Sequence, residues 1–247
     1  MKQSIFTAAG IEYIAKNTYD LRLSGDTSDI LRPGQFVNIA LDGLYLRRPI
    51  SVCDAEEGFL RLIFKAVGKG TERLAAAKAG DRFDILTGLG NGYDTEKSGR
   101  TPLLVGGGAG LPPMYMLAKE LCARGKKVYV AAGFNSADEV FLTDELAALG
   151  AEVVVCTADG SVGKKGFVTE AVAELSGKYT HMFACGPEPM LRAVWGICAS
   201  DGQFSFEERM GCGFGACMGC TCETITGPKR ICREGPVIGK DEIKWKS

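Results

Sequence analysis

Short apolar runs broken by turn residues occupy the first part of this 247-residue chain. Four such runs carry alternating or continuous apolar residues: SIFTAAGIEYIA, TYDLRLS, QFVNIAL and GFLRLIFKAV. Gly, Pro, Asn and Asp separate the runs. Strands with one buried face alternate in this way, and short strands at this spacing are typical of an antiparallel barrel or sandwich. We therefore predict a β-barrel domain over residues 1–99.

The pattern changes at about Arg100, where buried strands begin to alternate with helices. Strands are predicted for the runs TPLLVGG, KKVYVAAGF, AEVVVCTA and YTHMFACG. Helices are predicted for LPPMYMLAKELCARG, ADEVFLTDELAALG, FVTEAVAELSG and PEPMLRAVWGICASDG. Alternation of this kind indicates a parallel sheet, because each crossover helix returns the chain to the same end of the sheet. We predict an α/β domain over residues 100–204 with four or five parallel strands.

After Phe206 neither period continues, and glycines and cysteines dominate. We expect residues 205–247 to be ordered by a metal site rather than by a hydrophobic core. The predicted fold class is multi-domain β plus α/β: an antiparallel barrel, a parallel-sheet nucleotide-binding domain and a C-terminal cysteine loop.

Composition narrows the class of protein. With 46% hydrophobic and 24% charged residues and a formal net charge of −1, the chain is typical of globular proteins and shows no basic excess for nucleic acid or an anionic membrane. Its start, MKQSIFTAAGIEY, lacks the apolar stretch of a signal peptide, and no run approaches the roughly 20 apolar residues of a membrane span. We expect a cytoplasmic protein, and in that compartment clustered cysteines ligate metals more often than they form disulfides.

Half of the ten cysteines lie between residues 212 and 232. Without Cys222, the residues Cys212, Cys217, Cys220 and Cys232 have the spacing C-x4-C-x2-C-x11-C. Plant-type [2Fe–2S] ferredoxins share C-x4-C-x2-C with a distant fourth cysteine, so the spacing predicts such a cluster. A zinc site usually has two C-x2-C pairs, of which only one is present, and unliganded or redox-active thiols are a third possibility. Cys222 is a spare that could replace Cys220.

Two segments of the barrel predict a flavin site. Arg48 to Ser51 form R-P-I-S, at the end of a predicted strand, where the guanidinium can bind a pyrophosphate and the hydroxyl a flavin ring or ribityl chain. Downstream, the GKGT segment with Gly70 and Thr71 predicts a helix start whose N–H groups attract an anion. An arginine before proline is usually a solvated surface residue, so the prediction depends on both segments and on LTGLGNG, which closes the barrel.

The glycines of VGGGAGLPP follow a strand and precede a helix, as a dinucleotide pyrophosphate requires. The loop matches only two of the three glycines of the G-x-G-x-x-G fingerprint. After the second strand, Asn135 and Asp138 stand without a nearby Lys or Arg, which favours NAD(H) over NADP(H). Cys185 and Gly186 end the last apolar strand, either beside the nicotinamide or as a buried turn before a helix.

Seven segments, taken in order along the chain, resemble those of the ferredoxin reductase superfamily. They are RRPIS, GKGT, LGNG, GGGAGLPP, CGPEPM, ERMGCGFGACMGC and KRICREGPV. Within this superfamily, their combination is similar to the electron transfer subunits of dihydroorotate dehydrogenase B, over about residues 3–240. The resemblance implies one FAD, one [2Fe–2S] cluster and NAD as terminal acceptor. It also implies a partner, the FMN-containing dihydroorotate dehydrogenase catalytic subunit, with which we expect a heterotetramer of two copies of each.

The resemblance assigns cofactor contacts to particular positions. FAD contacts are expected at Arg48, Pro49, Ile50, Ser51, Lys65, Ala66, Val67, Gly70 and Thr71. Cluster ligands are expected at Cys212, Cys217, Cys220 and Cys232. Nucleotide contacts are predicted at Gly106, Gly107, Gly108, Gly110, Cys185 and Gly186.

No catalytic acid or base is predicted in this chain. Its one histidine, His181, lies in the apolar run YTHMFAC and is interpreted as a packed strand residue. Substrate oxidation is therefore expected in the partner, and this chain is expected to conduct electrons. The alternatives are an NAD(P)H–ferredoxin or sulfur-acceptor reductase of the same superfamily, and a zinc-binding module without redox turnover.

Overall fold

The computed structural model describes residues 1–245, and its N-terminal part is a closed antiparallel barrel. The barrel strands are β1 (Lys2–Ala15), β2 (Thr18–Ser24), β3 (Phe36–Ile39), β4 (Arg48–Glu56), β5 (Phe59–Lys65) and β6 (Arg82–Leu89). They pair in the order β1-β2-β5-β4-β3-β6, and the short helix α1 (Lys69–Ala75) connects β5 to β6. Apolar side chains from all six strands fill the interior. The predicted barrel is confirmed.

A parallel sheet follows the barrel. Its strands are β7 (Pro102–Gly107), β8 (Tyr129–Phe134), β9 (Glu152–Thr157), β10 (Lys164–Lys165), β11 (His181–Cys185) and β12 (Gly202–Ser205). Its helices are α2 (Pro112–Ala123), α3 (Thr143–Ala148), α4 (Val168–Glu174) and α5 (Glu188–Ile197). Buried residues of α2 and α3 pack in one hydrophobic cluster and those of α4 and α5 in another, so the sheet is covered on both faces.

The described chain has six mutually parallel strands in the order β10-β9-β8-β7-β11-β12, rather than the four or five expected. The additional strands are short. β10 has two residues, and β12 lies directly after a segment predicted as one helix, which in fact ends at Ile197. Strands of this length carry too few residues to establish a period.

The C-terminal segment has more packing than expected. It forms the hairpin β13 (Thr221–Thr224) and β14 (Gly227–Arg230) and then β15 (Val237–Gly239), which joins the large sheet antiparallel to β12. Ile231 is fully buried and packs against the barrel residues Phe36, Leu86 and Leu89. The expectation that this segment lacks a hydrophobic core is wrong, because the barrel supplies the other side of it.

Ion pairs join the barrel to the sheet domain. Arg61 of β5 donates from Nε to the buried Asp20 at 3.1 Å and from its terminal nitrogens to Glu145 of α3 at 2.6 and 3.0 Å. Lys119 of α2 donates to Asp54 of β4 at 2.8 Å. None of the helices within residues 1–245 is long and apolar enough to cross a membrane.

Candidate redox and nucleotide-binding sites

The four cysteines of the C-x4-C-x2-C-x11-C pattern lie in two pairs. The Cys212 N–H donates to Cys217 Sγ at 3.4 Å, and the Cys217 N–H donates to Cys212 Sγ at 3.4 Å. In the second pair, the Cys232 N–H donates to Cys220 Sγ at 3.4 Å. Each pair therefore joins two positions of the predicted ligand set through backbone-to-sulfur contacts.

The first pair lies at the surface and the second is buried. Cys217 is exposed and Cys212 half-buried, whereas Cys220 and Cys232 are each 2% exposed. Partial burial opposes ionisation of Cys212, but backbone N–H groups, including that of Ala216 at 3.2 Å from its Sγ, lower its pKa to about 6. Burial, together with the adjacent Cys220 thiol, raises the pKa of Cys232 to about 12. The backbone thus stabilises the charge of the Cys212 sulfur, whereas burial opposes ionisation of Cys232.

Two thiol pairs fit a cluster of two irons better than a single ion. Within residues 1–245, no group of three or more His, Cys, Asp or Glu side chains is close enough together to hold one metal ion. A four-cysteine zinc site needs all its sulfurs about 2.3 Å from one centre. A [2Fe–2S] cluster spreads four thiolates over two irons, which suits two pairs whose sulfurs face backbone N–H groups.

Asn91, in the L-G-N-G segment after β6, holds the chain that follows Cys232. Its backbone N–H donates to Gly235 O at 2.7 Å, and its Nδ2 donates to Glu234 O at 3.1 Å and Val237 O at 2.8 Å. Its Oδ1 accepts the Val237 N–H at 3.1 Å. The segment predicted only to close the barrel also anchors residues 234–237.

The cysteine loop is held by two further side chains. Asn38 of β3 is buried and donates from Nδ2 to Cys212 O at 3.2 Å. Arg230 of β14 donates to Gly215 O at 2.6 Å and from Nε to Glu234 at 2.9 Å. Sequence reasoning gave neither residue a role, because Arg230 stands in KRICREGPV without a signal of its own and Asn38 belongs to no motif and lies far from the loop along the chain.

The R-P-I-S segment lies at the start of β4, whereas the sequence pattern placed it at the end of a strand. The Asp42-Gly43 turn reverses the chain before it, so a new strand begins at Arg48. Asn38 lies opposite Pro49 in the β3–β4 ladder. Ile50 is buried in the barrel core, which leaves its backbone rather than its side chain for a flavin.

The Arg48 side chain lies across the first turn of α1. A Cβ added to Gly70 would be 1.9 Å from Arg48 Nε, so only glycine leaves room for the guanidinium. Thr71 Oγ1 accepts the N–H groups of Val67 at 3.0 Å and Gly68 at 3.3 Å and so shapes the turn before the helix. The two segments of the predicted flavin site therefore meet, and a guanidinium beside helical N–H groups can bind a pyrophosphate.

The glycine loop after β7 packs against the end of β11. Gly108 to Gly110 form a 3-10 turn, and a Cβ on Gly110 would be 2.2 Å from Cys185 O. Strand order reverses between β7 and β11, since β8 to β10 lie on one side and β12 on the other. Ligands of open α/β sheets bind at such reversals, beyond the carboxyl ends of the strands. The predicted nucleotide residues thus come together at the expected crevice.

A cleft of about 470 Å³ opens beside this loop. Its lining includes Gly107 and Gly108 of the loop, Met190 of α5 and the aromatic ring of Phe167, which is 71% exposed. Lys65, at the end of β5, extends into the same cleft from the barrel. Sequence reasoning assigned Lys65 to the flavin and did not place it here.

The two polar residues predicted after β8 have different positions. Asn135 lines the cleft and donates from Nδ2 to Glu139 at 3.1 Å. Asp138 is exposed and pairs with Lys16 of the barrel at 3.0 Å, and it is not among the residues that line the cleft. Glu139, which sequence reasoning missed, is the acidic residue of the cleft.

Cys185 and His181 are both buried in β11. Burial raises the pKa of Cys185 to about 12, so its thiol is neutral at physiological pH, and Cys185 is not among the residues that line the cleft. His181 Nε2 lies 3.1 Å from Gln203 Nε2, and burial lowers the pKa of this histidine. A buried neutral imidazole packed on Phe183 fits the predicted structural role.

The sequence matches two family models. Residues 207–244 match the iron–sulfur cluster binding domain of dihydroorotate dehydrogenase B, and residues 104–195 match the oxidoreductase NAD-binding domain. The first covers the two thiol pairs, and the second covers the glycine loop and the described lining of the cleft apart from Lys65.

Curated relatives extend the similarity over nearly the whole chain. The electron transfer subunit of dihydroorotate dehydrogenase B (NAD+) from Fusobacterium nucleatum subsp. nucleatum is 43% identical, over 94% of this chain and 94% of its own. The protein of the same name from Bacillus caldolyticus is 43% identical, over 96% of each chain.

Solved structures share the fold. A chain of the NADH-dependent reduced ferredoxin–NADP oxidoreductase, studied for flavin-based electron bifurcation, superimposes with a TM-score of 0.88 at 30% identity, over 97% of this chain and 90% of that one. The ferredoxin reductase of carbazole 1,9a-dioxygenase superimposes with a TM-score of 0.70 at 22% identity, over 79% of this chain and 65% of that one.

Proposed function

The chain belongs to the family of dihydroorotate dehydrogenase B electron transfer subunits, and from this premise we propose that it carries electrons from the FMN of a dihydroorotate dehydrogenase catalytic subunit to NAD+. One observation carries the proposal: β3 contacts both predicted redox sites. Asn38 donates to Cys212 O at 3.2 Å through its side chain and lies opposite Pro49 of the R-P-I-S segment through its backbone. Redox groups held at these two places would be neighbours, as electron transfer requires.

The cofactors of this function are FAD, a [2Fe–2S] cluster and NAD. When bound, the cluster exchanges single electrons, and FAD converts between single electrons and the hydride that nicotinamide accepts. In our proposal, Cys212, Cys217, Cys220 and Cys232 hold the cluster.

The residues of the chain position and shield these groups. Arg48 and the first turn of α1 neutralise the pyrophosphate of FAD, and the loop of Gly106 to Gly110 receives the diphosphate of NAD at the end of β7. The buried pair, Cys220 and Cys232, faces the barrel core residues Phe36 and Leu89, which exclude water on that side.

The name of the relatives, electron transfer subunit, implies a catalytic partner. We propose that this partner contacts the loop of residues 211–219, because that loop carries the exposed Cys217 and the apolar side chains Phe214 and Met218, which are 40% and 55% exposed. Three further points remain predictions. They are a heterotetramer of two copies of each subunit, a cytoplasmic location and the absence of membrane or nucleic-acid partners.

The function is tested by mixing the purified chain with its FMN-containing partner and following NADH formation from dihydroorotate. NADH should form only when both proteins are present, at a rate that saturates as this chain is added. The partner alone should still reduce an artificial electron acceptor. If the mixture forms no NADH while each protein carries its cofactors, the proposal is wrong.

A ferredoxin reductase activity is the second candidate, because a chain of a ferredoxin–NADP oxidoreductase is 30% identical to this one. The chain alone should then transfer electrons from NADH to ferredoxin at a rate comparable to dihydroorotate-linked turnover. We expect much slower ferredoxin reduction, because the curated relatives at 43% identity carry the dihydroorotate dehydrogenase B name.

A further inference from the structure

An ion pair between the two domains crosses the nucleotide cleft. Lys65 Nζ, from the end of β5 in the barrel, lies 2.8 Å from Glu139 Oε2, in the turn after β8. The two side chains are only 21% and 13% exposed. Asn135 Nδ2 also donates to Glu139, at 3.1 Å to the same oxygen and 3.2 Å to the other, so the carboxylate is fixed in position.

Lys65 and Glu139 are the charged side chains of this cleft. The other described residues that line it are glycines, prolines, apolar and aromatic residues, one threonine and Asn135. Lys65 Nζ also lies 4.0 Å from the position that a Cβ on Gly108 would take, at the loop proposed to receive the diphosphate. Lys65 Nζ thus lies near that loop while it pairs with Glu139.

The position of Lys65 bears on the preference for NAD(H) over NADP(H). The segment after β8 contains no Lys or Arg, and this alone favoured NAD(H) over NADP(H). The fold, however, brings Lys65 into the cleft, although it precedes Glu139 by 74 residues along the chain. A free lysine there would attract a 2′-phosphate, so the absence of local cations does not account for discrimination.

We propose that the Lys65–Glu139 pair sets the preference for NAD(H) over NADP(H). The Glu139 carboxylate lies near the end of the second strand of the sheet, where an acidic residue accepts the ribose 2′-hydroxyl in dinucleotide-binding folds. There it repels a 2′-phosphate and at the same time pairs with Lys65, the one cation among the described residues that line the cleft. This inference depends on the proposed assignment of the cleft to the nucleotide.

Calorimetric binding of two fragments to the cofactor-loaded complex tests the pair without electron transfer. The probes are ADP-ribose and ADP-ribose 2′-phosphate, and the variants are Glu139→Gln and the double variant with Lys65→Met. Glu139→Gln should raise the affinity for the 2′-phosphate relative to ADP-ribose by roughly tenfold or more, the size of one charge-assisted hydrogen bond. Adding Lys65→Met should remove that gain.

Asp138→Asn is the matched control, because Asp138 stands in the same turn and also pairs with a barrel lysine, Lys16, but does not line the cleft. It should leave the affinity ratio unchanged. Flavin absorbance verifies that each variant retains FAD. A ratio for Glu139→Gln within about twofold of wild type, or a gain that survives Lys65→Met, would overturn the inference.

The two proposals fail separately. Fragment binding needs neither dihydroorotate nor the cluster, so an unchanged ratio would leave the proposed electron route intact. Conversely, absence of dihydroorotate-linked NADH formation in the wild type would count against the proposed function, while the fragment ratio would still decide the role of the ion pair. Failure of wild type to bind ADP-ribose at all would overturn the cleft assignment and the inference with it.

Discussion

Around Gly110 the glycine loop is fixed by close packing, whereas around Asn91 the cysteine segment is fixed by hydrogen bonds. A Cβ on Gly110 would be 2.2 Å from the Cys185 carbonyl oxygen, so the loop backbone lies too close to β11 to admit a side chain there. Asn91 instead uses both ends of its amide to hold residues 234–237. The nucleotide end of the molecule is therefore held by packing of the chain itself, because strands and helices surround the loop.

The cysteine end is only partly organised by the protein. Cys220 and Cys232 are buried against the barrel, but Cys217 lies in a surface loop whose contacts are mostly to its own backbone. Asn38 and Arg230 each hold one backbone carbonyl of that loop, and we expect a bound metal cluster to supply the rest of its order. The two ends should therefore respond differently to loss of iron, to packing changes and to loss of a single hydrogen-bonding side chain.

Iron removal should produce the largest difference between the ends. Chelation under reducing conditions should increase amide hydrogen exchange of Ala216 and Cys217 by on the order of a hundredfold or more, because the loop that holds their N–H groups against Cys212 Sγ is then no longer tied to the metal. Amides of β7 and β8 should exchange at an unchanged rate. Equal loss of protection in the sheet would show that the cluster organises the whole molecule, contrary to this account.

Gly110→Ala should disrupt the nucleotide end selectively. The added methyl must displace the Cys185 backbone, so we expect a loss of about 3 kcal/mol in the free energy of unfolding and weak ADP-ribose binding, with the visible absorbance of the cluster retained. Urea unfolding and calorimetry measure both.

The control for that substitution is Gly196→Ala in α5, where a Cβ would meet nothing within 4 Å. It should be neutral or stabilise by up to about 1 kcal/mol, since alanine favours helix over glycine. Similar destabilisation by both changes would contradict the packing argument.

Asn91→Asp should loosen the cysteine end by a smaller amount. The carboxylate keeps the shape of the side chain but faces the Glu234 and Val237 carbonyl oxygens without a hydrogen to donate, at a cost of about 1–3 kcal/mol. We expect faster loss of cluster absorbance on heating and faster exchange of the Val237 N–H, with ADP-ribose affinity unchanged. Unaltered cluster loss would mean that hydrophobic contacts hold this segment without Asn91.

Cys222→Ser should have the smallest effect. Cys222 lies on β13, opposite Lys229 in the hairpin, and is not one of the four positions of the C-x4-C-x2-C-x11-C spacing. Iron content and NAD-linked turnover should stay within about twofold of wild type, because serine replaces the thiol with little change in volume. A loss as large as that of Cys220→Ser would make Cys222 the ligand in place of Cys220.

The sheet domain could be predicted from the sequence largely because its signals are local. Buried runs such as TPLLVGG and KKVYVAAGF carry their own evidence of burial, and the glycine loop follows the first of them directly. The spacing of the cysteines is likewise a local signal, and it predicted the four positions that the structure joins in pairs.

The contacts that hold these sites could not be predicted, because they join distant parts of the chain. Asn91 contacts Val237 across 146 residues and Asn38 contacts Cys212 across 174. Neither asparagine has a periodic or compositional signal. The same applies to Lys65 and Glu139, whose meeting depends on how the barrel and the sheet domain pack together. The proposed cofactor contacts and the domain boundaries at residues 99 and 204 remain predictions.

The central claim, that electrons enter through the cysteine end and leave through the nucleotide end, is tested most directly by Cys217→Ser in the complex with the partner. We predict loss of dihydroorotate-linked NADH formation, with FAD content and NADH-driven reduction of an artificial acceptor by this chain preserved. Retention of these two properties would show that the variant is folded. NADH formation from dihydroorotate at the wild-type rate, in a variant without the cluster, would contradict the account.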